Sequence, residues 1–232
     1  MKDKPVIIVQ ARLGSTRLPN KMMLWFHGYP VIEWVYHRIN KAKLCKFIIF
    51  AIPENSTDDV LADYLVKIGA QVYRGSESDV VSRFWGAIKN LAVNQVVRIC
   101  ADNPFVSGSE IDRLVDFFNK GKYDYAYNHI PVNNSYPDGL GAEIADMIVL
   151  ERINREAQSS DNREHLFNYI WENESMFKVG TCDPLDPALA HPELKLDLDT
   201  YQDYRKLLKW PVHPDMTAAE IVRIACQYKG FS

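Results

Sequence analysis

The sequence predicts an α/β protein built on a mostly parallel sheet with helices on both faces. The run Val6-Ile7-Ile8-Val9 is apolar without alternation, the pattern of a strand covered on both sides. Short apolar runs then alternate with amphipathic stretches through the first half, which is the rhythm of βαβ units. At 232 residues the chain can bury a sizeable core. No linker, internal repeat or low-complexity tract divides it, so one domain over residues 1–232 is expected.

The elements follow in order. A strand over Val6–Gln10 leads into a small-residue loop. A helix is expected over Val31–Lys43, where Val31, Trp34, Val35 and Arg38-Ile39 recur near helical spacing and Ile32 and Tyr36 widen the face. Phe47–Ile52 reads as a strand, Asp58–Ile68 as a helix, Gln71–Tyr73 as a third strand and Val80–Leu91 as a helix. Gln95–Cys100 is a fourth strand, and a helix opens near Ser109, a good N-cap, with Glu110 in its first turn. After Tyr123–Tyr127, the stretch from Asn128 to Gly141 is rich in Asn, Pro and Gly, which predicts a long loop over the site. Leu140–Ala145 then forms a strand, Met147–Arg155 a short helix and Arg163–Glu174 another. Phe177–Thr181 and Lys195–Leu198 read as strands separated by Asp183-Pro184-Leu185-Asp186-Pro187, and helices over Tyr201–Lys209 and Thr217–Tyr228 follow.

Bulk charge excludes some functions. With 27 Lys and Arg against 30 Asp and Glu, the net charge of −3 offers no global basic field for nucleic acid or anionic lipid. No apolar run is long enough to cross a bilayer, and Met1-Lys2-Asp3-Lys4 leads into a strand rather than a signal peptide. A cytoplasmic protein is expected. Cys45, Cys100, Cys182 and Cys226 lie far apart without a CxxC pair, so they read as four separate buried or half-buried thiols.

The cations that do cluster lie in the loop Ala11-Arg12-Leu13-Gly14-Ser15-Thr16-Arg17-Leu18-Pro19-Asn20-Lys21. Ligands collect at the carboxyl ends of parallel strands. Gly14 and Ser15 let backbone approach an anion, while Arg12, Arg17 and Lys21 supply charge for phosphate oxygens. Arg17 either contacts phosphate or pins the loop through a carboxylate. Asp102 follows directly on the strand ending at Cys100, and Pro104 prevents an immediate helix, so its carboxylate should share that sheet edge. Mg²⁺ takes one or two protein carboxylates together with phosphate oxygens and water, and Asp102 suits it. Asp199 follows the candidate strand Lys195–Leu198 and competes between metal binding and capping the Tyr201 helix. Asp197 is expected on the other strand face.

Ala-Arg-x-x-Ser-x-Arg-Leu-Pro-x-Lys resembles the first motif of nucleotidylyltransferases that make CMP-sugars, notably CMP-Kdo synthetases, acylneuraminate cytidylyltransferases and the spore-coat polysaccharide cytidylyltransferase-like proteins. The resemblance continues through Tyr73-Arg74-Gly75-Ser76, Arg98-Ile99-Cys100-Ala101-Asp102-Asn103-Pro104, Tyr136-Pro137-Asp138-Gly139-Leu140, Arg163-Glu164-His165 and Leu198-Asp199-Thr200, in family order over nearly the whole chain. It implies a nucleotide-diphosphosugar-transferase fold of the GT-A kind and Mg²⁺-dependent transfer of CMP from CTP to a sugar, sugar acid or phosphorylated acceptor. Pyrophosphate would leave, and the product would feed surface polysaccharide assembly. Residues 1–125 would mainly bind nucleotide and residues 126–200 mainly acceptor and metal, with a homodimer left open.

By that resemblance the nucleotide set is Ala11, Arg12, Leu13, Gly14, Ser15, Arg17, Lys21, Arg74, Ser76 and Asp102; Arg12, Lys21 and Asp102 are catalytic, and Asp102 and Asp199 hold metal. Asp138, Glu143, Arg163 and His165 would face the acceptor, with Glu164 orienting His165. Asp79 and Arg83 read equally as a helix cap paired with a basic residue or as ligand contacts. Two departures stand out. CMP-Kdo synthetases carry Gln where Cys100 stands, so that base contact does not transfer, and Gly141 replaces an acid usual in the spore-coat-like proteins, which suggests an altered acceptor. Rival readings are a GT-A glycosyltransferase, whose Asp-x-Asp cue is spelled by Asp197-Leu198-Asp199 but late in the chain, and a non-catalytic nucleotide-binding protein.

Overall fold

The computed structural model describes residues 4–45 and 47–228, so the Met1–Asp3 part of the N-terminal reading lies outside the described residues. Strand β1, Val6–Gln10, is flanked by β4, Ile48–Pro53, and β6, Gln95–Cys100, both parallel to it. Between them come a two-strand hairpin absent from the sequence reading, β2 Trp25–Phe26 and β3 Tyr29–Pro30, then α1, Val31–Ile39. The sequence carries this turn in His27-Gly28, whose residues both adopt positive φ. After β4 follow α2, Asp59–Lys67, then β5, Gln71–Gly75, and α3, Val80–Ile88. Beyond β6 lie α4, Gly108–Gly121, then β7, Tyr125–Tyr127, and β8, Glu143–Asp146. The chain continues through α5, Met147–Glu156, α6, Ser160–Glu164, α7, Asn168–Glu172, β9, Val179–Thr181, α8, Tyr201–Leu207, and α9, Ala218–Tyr228.

The main sheet has seven strands in the order β5-β4-β1-β6-β8-β7-β9, and β8 runs antiparallel to both of its neighbours. Alternation along β1 divides the core between two faces. Ile7 and Val9 pack with α1, α2, α4 and α9, while Val6 and Ile8 pack with α3, α5 and α7. Each such fully buried Val or Ile contributes on the order of 1.5–3 kcal/mol by leaving water. The mixed, mostly parallel sheet covered on both faces is the architecture expected.

Several boundaries differ for physical reasons. The α1 helix stops at Ile39, four residues early, and the Lys43 and Leu44 amides are taken instead by the Asp112 carboxylate. Arg38, counted with the apolar face, is indeed buried, but its guanidinium donates to the carbonyls of Phe105, Val106, Pro214 and Met216. The α4 helix begins at Gly108, with Ser107 rather than Ser109 at the N-cap position. The Arg163–Glu174 helix is two short ones, because His165 leaves helical geometry with φ −103° and ψ 94°. Lys195–Leu198 is not a strand; it joins Asp138 through a single bridge to Lys195. Among the described residues no helix is long and apolar enough to cross a membrane, and the four half-buried cysteines form no disulfide with one another.

Candidate active site

The carboxyl ends of β1 and β6 open into a cleft of about 200 Å³ lined by Gln10, Ala11, Arg12, Ser15, Thr16, Arg17, Lys21, Met22, Cys100 and Asp102. The loop after β1 closes on itself: Asn20 N–H donates to the Leu13 carbonyl at 3.2 Å, and Ser15 Oγ accepts from Leu18 N–H at 3.3 Å. Asn20 takes φ 57°, a left-handed conformation that Asn tolerates, and this turn aims Lys21 inward. The buried Asp58 carboxylate accepts the Leu13 amide at 2.7 Å and anchors the loop to the turn that follows β4. Sequence reading placed Asp58 only at a helix start and missed this role.

Lys21 is the centre of the site. It is 8% exposed, and its Nζ donates to Asp102 Oδ2 at 2.9 Å, the Leu198 carbonyl at 3.2 Å and Asp199 Oδ1 at 3.3 Å. Arg17 pairs with the other oxygen of Asp199 at 2.9 Å, which favours the loop-pinning alternative for it in this arrangement. Burial raises the Asp199 pKa, but Lys21, Arg17 and Lys195 together hold it below the ordinary carboxylate value. Thr200, not Asp199, caps α8, in a reciprocal pair with Asp203, so the capping alternative for Asp199 is removed. Arg12 is exposed and makes no hydrogen bond or ion pair among the described residues.

Asp102 and Asp199 fit a hard divalent cation. Two carboxylate oxygens from distant parts of the chain already converge on one positive charge, the Lys21 ammonium. No group of three or more His, Cys, Asp or Glu side chains suited to a metal occurs among the described residues, and two carboxylates are what Mg²⁺ takes when phosphate and water complete its shell.

Asp138 and Asp197 extend this edge. Leu196 and Leu198 are fully buried, so Lys195, Asp197 and Asp199 share the opposite side, and the expectation that Asp197 points away is corrected. Burial, reinforced by Asp138 and Asp199, pushes Asp197 up to about 6 against the pull of Lys195. Asp197 Oδ1 is buried without a hydrogen-bond partner among the described residues. Gly139, at φ 87°, lets the 128–142 loop pass close by; a Cβ there would lie 3.1 Å from the Asp197 amide nitrogen.

Other expected contacts are engaged elsewhere. Arg74 donates to the carbonyls of Pro53 and Asn55 and pairs with Asp59, stitching β5 to the end of β4 instead of facing the cleft. Ser76 Oγ accepts from the Asp79 amide at 3.0 Å and shapes the turn before α3. Leu13 is a core residue, and neither it nor Gly14 lines the cleft. Asp79 caps α3 through the Ser82 amide at 2.8 Å, and its other oxygen takes Arg163 at 2.6 Å rather than Arg83. Arg83 is buried and holds the carbonyls of Ser76 and Glu77. Arg163 also donates to the Asn154 carbonyl, and His165 sits on the surface beside Asp161, so the chain does not bring the pair to the cleft. Glu143 is 3% exposed, bonded to Tyr125 OH and Arg98 beneath the cleft floor. Gly141 packs against Asn128: a Cβ would fall 2.2 Å from the Asn128 carbonyl oxygen, so no side chain fits there unless Asn128 shifts.

The chain is 29% identical to the spore coat polysaccharide biosynthesis protein SpsF of Bacillus subtilis over 229 residues, covering 94% of this chain and 92% of that one. The solved cytidylyltransferase of Leptospira borgpetersenii superposes with a TM-score of 0.88 at 25% identity, over 98% of this chain and 96% of that one. CMP:2-keto-3-deoxy-manno-octonic acid synthetase complexed with CTP shares the fold, with a TM-score of 0.63 at 15% identity over 88% and 97% of the two chains. The nucleotidyltransferase fold expected is therefore the one observed. Residues 6–224 match the cytidylyltransferase family pattern, and the chain belongs to that family.

Proposed function

We propose that this nucleotidyltransferase moves the CMP group of CTP, with Mg²⁺, onto a sugar, sugar acid or phosphorylated acceptor and releases pyrophosphate. The observation that carries the reading is the convergence of Lys21, Arg17, Asp102 and Asp199 at the carboxyl edge of β1 and β6, with exposed Arg12 beside them. Three cations in one short loop suit a triphosphate.

In this chemistry an acceptor oxygen attacks the α-phosphorus in line, a new P–O bond forms, and the α–β bridging P–O bond breaks as pyrophosphate leaves. Negative charge grows on the leaving group and the equatorial oxygens. Arg12 and Lys21 would neutralise that charge, Lys21 from a position fixed by Asp102, Asp199 and the Leu198 carbonyl and Arg12 from the exposed lip of the cleft. Asp102 and Asp199 would hold the metal, which when bound neutralises phosphate oxygens. Asp138 lies electrostatically close to both of these acids and is the acceptor-facing residue this reading retains. Residues 1–125 thus supply the nucleotide grip, and residues 126–200 add Asp138 and Asp199. Kinship to SpsF supports a place in surface polysaccharide assembly. The test is pyrophosphate release across CTP, UTP, ATP and GTP with a panel of sugar acids and sugar phosphates, with and without Mg²⁺. Metal-dependent release with CTP and one acceptor class is expected; equal release from all four triphosphates defeats the cytidylyl assignment.

A further inference from the structure

The cleft floor holds a polar network that the reaction scheme does not use. Arg98 on β6 donates from Nε and Nη2 to Gln10 Oε1 at 3.1 and 3.0 Å. Its Nη1 meets the buried Glu143 carboxylate, which also accepts from Tyr125 OH at 2.6 Å. Gln10 and Cys100 are partners across β1 and β6, so the three residues occupy one patch under the open cleft.

A guanidinium carries donors and no acceptor. The Gln10 carboxamide therefore has a single allowed orientation, oxygen toward Arg98 and NH2 away from it. No described residue accepts a hydrogen bond from that nitrogen, and Gln10 lines the same cleft as Arg12, Lys21 and Asp102. Arg98 is in turn held by Glu143, so the amide is set in place before any ligand arrives. A donor that is pre-oriented and unspent gains a hydrogen bond at little entropic cost. Gln10 directly precedes Ala11-Arg12, the start of the cationic loop, which puts its amide on the nucleotide side of the cleft.

We propose that Gln10 donates from Nε2 to an oxygen of the bound nucleotide, a ribose hydroxyl or the pyrimidine carbonyl, and that Arg98 is the positioning residue that aims it. The proposal rests on the nucleotide-binding reading above. Nothing in the family resemblance used so far assigns either residue a role.

The experiment is calorimetric titration of the full chain with Mg²⁺ and CTP, without acceptor, alongside melting curves. Gln10→Glu keeps a partner for the Arg98 fork but replaces the free donor with negative charge near the triphosphate. Gln10→Met removes the amide at similar length. We expect Gln10→Met to weaken CTP binding by about tenfold, the scale of one net hydrogen bond, and Gln10→Glu to weaken it further while melting like the wild type. Arg98→Lys keeps a charge for Glu143 but cannot grip the amide with a fork, so it should lower affinity as Gln10→Met does. The double variant Gln10→Met/Arg98→Lys should lose no more than either single one, a coupling that a merely structural role for Arg98 does not produce. Dropping the 2′-hydroxyl by using dCTP separates ribose from base as the partner oxygen. Wild-type CTP affinity in both Gln10 variants, or additive losses in the double variant, overturns the proposal. So does an unchanged CTP affinity with a raised KM for the acceptor. If the wild type binds no nucleoside triphosphate at all, the functional reading itself has failed, and that result is distinct from the others.

Discussion

The Leu198 amide donates to the Asp102 carbonyl at 2.7 Å, and this backbone bond sets the next residue, Asp199, beside the Asp102 carboxylate. Lys21 then bonds the Leu198 carbonyl and both acids, so three distant parts of the chain share one charge centre. The site depends on main-chain pairing as much as on its side chains.

Asp102→Asn and Asp199→Asn should each abolish turnover and leave the fold intact, since the amide keeps the shape but lacks the charge a divalent cation needs. Because Thr200 and Asp203 supply the α8 cap, Asp199→Asn should not loosen that helix. Turnover near wild type in either variant, with Mg²⁺ saturating, would remove that acid from the metal pair.

Lys21→Ala should lower turnover by about a hundredfold or more if the ammonium stabilises charge in the transition state. Single-turnover kinetics at saturating CTP separates this from weaker binding. An unchanged rate would take Lys21 out of the catalytic set.

Glu143→Gln should destabilise the protein by about 3 kcal/mol, because the half-buried Arg98 guanidinium would lose its buried counter-charge. Burial works to raise the Glu143 pKa, but Arg98, His129 and the Tyr125 hydroxyl prevail and lower it. A carboxylate whose folded pKa is depressed stabilises at neutral pH, and that contribution is lost as pH falls below the ordinary value of about 4.5. The wild type should therefore lose melting temperature on acidification in that range, and Glu143→Gln should show a shallower loss.

Gly141→Ala should destabilise by about 1–3 kcal/mol without altering acceptor choice, since the added methyl meets the Asn128 carbonyl and side chain. A stable variant with a new acceptor profile would return Gly141 to the pocket.

Asp138→Ala should raise the acceptor KM or lower turnover while CTP affinity stays within a few fold. Loss of CTP binding with acceptor preference unchanged would place Asp138 on the nucleotide side.

The sheet and much of the cationic loop were legible in the sequence because both are written locally. An unbroken apolar run such as Val6–Val9 has one good solution, and Arg12, Ser15, Arg17 and Lys21 must follow it to the carboxyl edge. Asp102 was legible at that edge for the same reason, as the second residue past the end of β6. The hairpin at Trp25–Pro30 was missed because strands of two residues carry no periodicity to detect.

Side-chain destinations belong to the tertiary structure. Arg74 and Arg163 look like ligand contacts in a motif, yet each finds a carboxylate and carbonyls within hydrogen-bond range once α2, α3, α5 and α6 are packed. Glu143 follows an acceptor-like block but points beneath the cleft floor to Arg98, and Gly141 lies against the Asn128 carbonyl. The places of Gln10 at the cleft and Asp58 under the loop were invisible in the sequence, since a lone Gln at a strand end or an Asp near a helix start signals nothing by itself. By itself the sequence determined the strands, the family pattern and the charge of one loop, which depend on neighbours along the chain. Only the tertiary structure decided which polar groups are spent on one another and which remain free for a ligand, because hydrogen bonds form between atoms close in space and not in sequence.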